Sequence, residues 1–213
     1  MNSLIIDLNK MADEYQLPRA DSVRPDGVVM MRNEPVWDSE ALRRAVAEVK
    51  ARAAAAQYDR VEVQAHCPNW VTAALNYAAA PAVGYAQIGP NGMYKLDMNA
   101  FPFGEIDPSL NTRFEVREEG DLVYVTLVPI GNADAGAHGF DLTRFDEICV
   151  PAIPAGKRVL LAGEMVNPIA VCMALAYAPE AKAVYLRFHQ NPYYYCCISS
   201  DPEIPLGDMI AAE

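Results

Sequence analysis

Pro68-Asn69-Trp70-Val71-Thr72-Ala73-Ala74-Leu75-Asn76-Tyr77-Ala78 and Pro168-Ile169-Ala170-Val171-Cys172-Met173-Ala174-Leu175-Ala176-Tyr177-Ala178 are the two stretches whose comparison decides the fold. Set 100 positions apart, they share Pro68/Pro168, Val71/Val171, Ala74/Ala174, Leu75/Leu175, Tyr77/Tyr177 and Ala78/Ala178. The register continues through Tyr85/Tyr185, Asn91/Asn191, Tyr94/Tyr194 and Pro102/Pro202, which makes ten identities in a 35-residue window. Upstream the offset becomes 98, where Arg60-Val61 matches Arg158-Val159, so the second copy carries two extra residues before its proline. A fixed period of this length reads as one structural unit used twice.

Each copy reads the same way locally. Val61-Glu62-Val63-Gln64-Ala65 and Val159-Leu160-Leu161-Ala162 are short β-prone runs, the second apolar enough for a central strand. A helix is expected to open at Pro68 or Pro168, because proline's missing N–H suits the first helical turn, with Asn167 as a good cap. The helix Pro168–Tyr177 is apolar nearly all round and should be buried. Strands follow near Val83-Gly84-Tyr85 and Ala183-Val184-Tyr185, then near Met93-Tyr94 and Tyr193-Tyr194-Tyr195. The expected fold class is therefore α/β, two tandem copies of a small sheet-plus-helices domain packed as a pseudo-dimer.

The front ends of the copies differ. Phe114–Arg117, then Glu118-Glu119-Gly120-Asp121, then Leu122–Val128 reads as a hairpin with period-two alternation. Asp141–Ile148 reads as a helical turn. In the first copy Gly27–Met31 is a strand candidate and Asp38–Gln57 a long helix, capped by Asp38 or Ser39, with Leu42, Val46 and Val49 as its apolar stripe. The boundary falls in Phe103–Thr112, which holds Gly104, Pro108, Ser109 and Asn111, giving domains over 1–107 and 108–213.

Composition narrows the function classes. The 213 residues are 52% hydrophobic and 21% charged, which suits a globular chain and not a disordered one. A net charge of −11 makes long DNA or RNA a poor partner, while a small anion needs only a local pocket. No apolar run reaches the roughly 20 residues of a membrane span, and the first residues lack a basic and a long apolar region, so no membrane partner and a cytoplasmic location are expected. The five cysteines lack metal-type spacing and read as reduced core thiols, with Cys196 and Cys197 on opposite faces of one strand.

From Arg113 to the C-terminus the chain resembles, nearly end to end, the small CRISPR-associated ring nucleases of the Csx type, which bind and cleave cyclic tetra-adenylate. The resemblance is carried by Phe114-Glu115-Val116, Val150-Pro151-Ala152-Ile153-Pro154-Ala155-Gly156-Lys157 and the loop Gly163–Pro168. Ala176-Tyr177-Ala178-Pro179, Ala183-Val184-Tyr185 and Gly207-Asp208-Met209-Ile210 continue it, in the family's order and spacing. The first copy shares it through its likeness to the second, over about Tyr58–Pro102. The resemblance implies a cyclic oligoadenylate as partner and manganese-dependent cleavage. It departs where the family carries a histidine (here Ala178), an aspartate and then an arginine (here Leu186-Arg187-Phe188-His189), and a last histidine (here Ser199 or Ser200). Manganese is thus left without its usual ligands and no metal site is assigned, with Arg187 and His189 as the remaining candidate catalytic groups.

Two sequence segments carry candidate ligand chemistry. The first is the loop-to-helix junction, where unpaired N–H groups and a partial positive charge suit phosphate. In one copy it offers His66, Pro68, Asn69 and Trp70; in the other Gly163, Glu164 and Asn167. His66 and Asn69 can donate to phosphate or a base edge, Trp70 can stack on adenine, and Glu164 suits an amino group better than a phosphate. The second segment is Arg187-Phe188-His189-Gln190-Asn191 followed by Pro192-Tyr193-Tyr194-Tyr195, a cation, an imidazole, amides and aromatics in one turn. Cleavage would use the substrate's own 2′-hydroxyl, with Arg187 or a helix start stabilising the phosphorane and His189 or His66 moving the proton. His138, in the Gly131–Gly139 segment, reads as a ligand lid or a plain surface loop. Each segment also has a plain structural reading, a common strand–loop–helix junction for the first and a solvated turn leading into an aromatic-rich core strand for the second. Three classes therefore stay open: a ring nuclease, a non-catalytic sensor or sponge, and an interaction module that has lost the ligand. A further homo-oligomer is compatible with each.

Overall fold

The computed structural model describes residues 2–23, 29–64, 68–130, 141–163, 165–187 and 192–212, with the side chains of 22–31 and of Pro90 left aside. Its elements are β1 (Ser3–Asp7), α1 (Leu8–Tyr15), β2 (Arg19–Val23), β3 (Val29–Pro35), α2 (Ser39–Ala55), β4 (Arg60–Gln64), α3 (Asn69–Ala78), β5 (Val83–Ile88) and β6 (Tyr94–Met98). They continue as β7 (Thr112–Glu119), β8 (Leu122–Pro129), β9 (Arg158–Gly163), α4 (Asn167–Tyr177), β10 (Ala183–Arg187), β11 (Tyr193–Ser199) and β12 (Met209–Ala211). The fold is α/β with mixed sheets. One sheet runs β1-β4-β5-β6, a larger one runs β12-β11-β10-β9-β8-β7, and β2 and β3 form a separate ribbon.

Within the two larger sheets the same sequence of pairings recurs. β1, β4 and β5 are mutually parallel and β6 returns antiparallel. β8, β9 and β10 are mutually parallel and β11 returns antiparallel. A helix follows the second strand of each set, α3 after β4 and α4 after β9. The expected hairpin is present, with Glu119 opposite Leu122 across the tight turn Gly120-Asp121 and Gly120 at φ +59°.

α4 is apolar nearly all round, and both α3 and α4 are enclosed, with Asn69, Thr72 and Asn76 as buried polar residues of α3. Nine of the ten α3 residues and nine of the eleven in α4 are buried. α3 packs on α2, α4, β4, β10 and β11, and α4 packs on α3, β9, β10 and β6, so each helix touches strands of both large sheets. One apolar cluster accordingly runs from Leu4, Val49 and Trp70 to Val171, Leu186 and Ile198. The smaller sheet buries only this face, as the alternation of buried and exposed residues in β1 shows. The larger sheet also covers its outer face, where Tyr124, Leu160, Tyr185, Tyr194 and Cys196 pack under Ile204, Leu206 and Ile210. That C-terminal segment meets the start of α2, where the Ser39 hydroxyl donates to the Leu206 carbonyl at 2.5 Å.

The helix starts differ from expectation by one residue each. Pro68 is the residue before α3, and α4 begins at Asn167 behind an extended Val166, so Asn167 is the first helical residue and not the cap. Proline fits the second helical position equally well because its absent N–H has no intrahelical partner there either. β1, α1 and β12 were not anticipated, whereas α2 starts as expected, with the Asp38 carboxylate accepting from the Ala41 amide at 2.8 Å. Cys196 and Cys197 do fall on opposite faces, one in the outer cluster and one in the inner. Burial holds Cys172 and Cys197 far above the usual thiol range and pushes Cys196 up to about 12. Iodoacetamide at pH 8 is therefore expected to leave Cys172, Cys196 and Cys197 unmodified in the native protein and to label them on denaturation, as peptide mass mapping would read.

Candidate functional site

Both enclosed helices begin beyond the carboxyl ends of parallel strands, the position where open α/β sheets gather ligands. β9 and β10 are paired in parallel, with Leu161 beside Leu186, so they end together at Gly163 and Arg187. α4 starts at Asn167, shortly after Gly163. The start of α3 reaches the same end from the other half of the chain, because the Asn69 Nδ2 donates to the Arg187 carbonyl at 3.1 Å. The structure thus brings Pro68, Asn69 and Trp70 to the end of β10, beside the end of β9 from which the chain continues to α4.

Among the described residues, Pro68 before α3 and Val166 before α4 provide no side-chain cap. α1 and α2 have one, from Asp7 and Asp38. An aspartate at a helix start occupies its amides with the protein's own negative charge, and its absence leaves that role to another group. Asn69 adds a second feature. It is 7% exposed, and its carboxamide oxygen is buried without a partner. Trp37 Nε1, Asn76 Oδ1 and Thr112 Oγ1 share that condition, but of the four only Asn69 stands at a helix start. A buried acceptor without a donor is uncommon enough to require a reason.

Gly163 has its own structural requirement. Its φ is +127°, and a Cβ there would lie 2.2 Å from the Leu127 carbonyl oxygen of the neighbouring strand. Only glycine lets β8 approach this closely where the chain leaves β9.

Two expected roles are corrected. Trp70 is 3% exposed and stacks on Tyr195, with ring centroids 4.9 Å apart and planes 11° from parallel. The ring is a core contact between the halves and is not presented to a base. The Arg187 side chain does not join the α3 start, although its carbonyl does. Val184 and Leu186 belong to the inner cluster, so by the two-residue period Tyr185 and Arg187 point to the outer face. There Arg187 lies beside Tyr194, whose phenol burial pushes up while the nearby Arg187 and Arg117 charges pull it down. Tyr193 is 41% exposed and shares the inner parity with Tyr195 at the same end of the sheet. His66, His138, Glu164, His189 and Asn191 lie outside the described residues, as does the Gly131–Gly139 segment.

Arg117 and Tyr124 were not singled out from sequence. Arg117 stacks over the Tyr124 ring at 4.2 Å, and Tyr124 meets Tyr194 edge-on at 6.2 Å. Among the described residues no three His, Cys, Asp or Glu side chains gather as a metal-binding group. A separate open groove of about 650 Å³ lies beside β7, lined by Phe103, Glu105, Ile106, Arg113 and Phe114.

No family model and no curated protein matches the chain. The terms CRISPR, ring nuclease and cyclic oligoadenylate that the resemblance supplied are accordingly withdrawn, because no match ties this chain to that family.

Proposed function

We propose that this chain binds a small phosphorylated molecule where α3 and α4 begin, and that its two halves are tandem copies of one sheet-plus-helices domain packed as a pseudo-dimer. The duplication reading is supported by the 100-residue register together with the recurring parallel-parallel-antiparallel pairing. The observation that carries the ligand reading is the buried, unpartnered Asn69 oxygen at the start of a helix to which Pro68 gives no side-chain cap. The helix starts suit the phosphate, and the Asn69 acceptor suits an amino or hydroxyl donor on the same molecule. A net charge of −11 favours such a compact ligand over a long polyanion. Binding, not turnover, is the reading supported, since the Arg187 guanidinium projects away from Asn69.

Calorimetry with inorganic phosphate, ribose 5-phosphate and adenosine monophosphate tests this. Asn69→Leu is expected to weaken the donor-bearing esters about tenfold, the worth of one hydrogen bond of roughly 1.4 kcal/mol, and to change inorganic phosphate by less than about twofold. Arg187→Ala keeps its backbone carbonyl and should shift every affinity by less than about twofold. Circular dichroism establishes that each variant is folded. Saturable binding by none of the three, or equal affinities in wild type and Asn69→Leu, would reject the site.

A further inference from the structure

β7 is the last strand of the larger sheet, and among the described residues no strand pairs with its outer edge. From Arg113 to Glu119 it is exposed except at the half-buried Phe114. Such an edge presents unpaired backbone groups to any incoming strand. Along one face its side chains run Arg113, Glu115, Arg117, Glu119, alternating in sign at every second residue. A run of one sign would repel a second copy of itself. The alternating run does the opposite.

We propose that β7 is a homodimer edge, pairing antiparallel with β7 of a second copy about a two-fold axis at Val116. This register sets Arg113 opposite Glu119 and Glu115 opposite Arg117, each twice by symmetry. Val116, 45% exposed, meets its own counterpart on the other face. A slip of two residues in either direction puts arginine opposite arginine and glutamate opposite glutamate, so the charges also fix the register. Within one chain the partners are Arg113–Glu115 at 2.7 Å and Arg117–Glu119 at 3.6 Å. All four side chains are more than half exposed, and such pairs contribute little, so exchanging them across the axis costs little. The result joins two six-stranded sheets edge to edge, away from the α3 and α4 starts.

Sedimentation equilibrium of the full chain across the micromolar range reads the outcome. A concentration-dependent dimer is expected, weakened by added salt. Arg117→Glu should raise its dissociation constant at least about tenfold, and the charge-swapped Glu115→Arg/Arg117→Glu protein should return to within about threefold of wild type. Both variants lose the Arg117 contact on Tyr124 alike, so recovery isolates the pairing across the axis. A monomer at every concentration, a dimer indifferent to Arg117→Glu, or a swap that fails to recover would each overturn the proposal.

Discussion

Gly163→Ala is expected to destabilise the protein by at least about 3 kcal/mol, a fall in Tm of roughly 6–12 °C for a chain of this size. Two costs combine. At φ +127° an L side chain is strained whatever surrounds it, and here the new Cβ would sit 2.2 Å from the Leu127 oxygen and 2.9 Å from its carbonyl carbon and its amide nitrogen. Those atoms are ladder backbone, held by the Leu127–Gly163 pairing of β8 and β9, and cannot swing aside as a flexible side chain does. Gly120→Ala is the matched control. Its φ is +59° and nothing lies within 4 Å of the added Cβ, so only the conformational cost remains, about 1 kcal/mol. Urea unfolding of both variants separates the two costs. Equal losses would show that β8 does not crowd Gly163.

The reading of the sequence succeeded where local pattern and environment agree. α4 is apolar on every side and is enclosed on every side, and the turn at Gly120 carries a local signature that needs no partner. It failed where the other half of the chain decides. Trp70, beside a loop, resembles an exposed ring, yet Tyr195, 125 positions downstream, stacks on it. Arg187 follows four consecutive buried residues, Ala183 to Leu186, because β10 is covered on both faces. A strand without alternation gives no sign of which face its last side chain joins. β1 was missed for a related reason, since its pairing partner β4 begins 57 positions away and Leu4-Ile5-Ile6 alone is too short to declare itself. The Asn69 oxygen was legible only as a residue type; its burial without a donor is a property of the packed molecule.

Trp70→Ala is expected to cost about 3–5 kcal/mol, the range for deleting a buried tryptophan, and to do so without separating the unfolding of the two halves. The ring lies on α3, which follows the smaller sheet's β4, and its stacking partner Tyr195 lies on β11 of the larger sheet. Because α3 and α4 each contact strands of both sheets, the apolar cluster is continuous between them. Loss of Trp70 should therefore weaken the whole cluster and leave a single transition at lower denaturant concentration. A double-mutant cycle with Tyr195→Ala isolates the stacking contribution, expected at about 0.5–1.5 kcal/mol. Intrinsic fluorescence, dominated after the substitution by Trp37 of the first half, reports one part of the molecule, and far-ultraviolet circular dichroism reports all of it. Coincident curves are the expected result. If the two signals part, with the Trp37 region melting before the larger sheet, the halves are held by little more than this one ring pair. A loss below about 1 kcal/mol would instead show that Trp70 is not the core contact its burial implies.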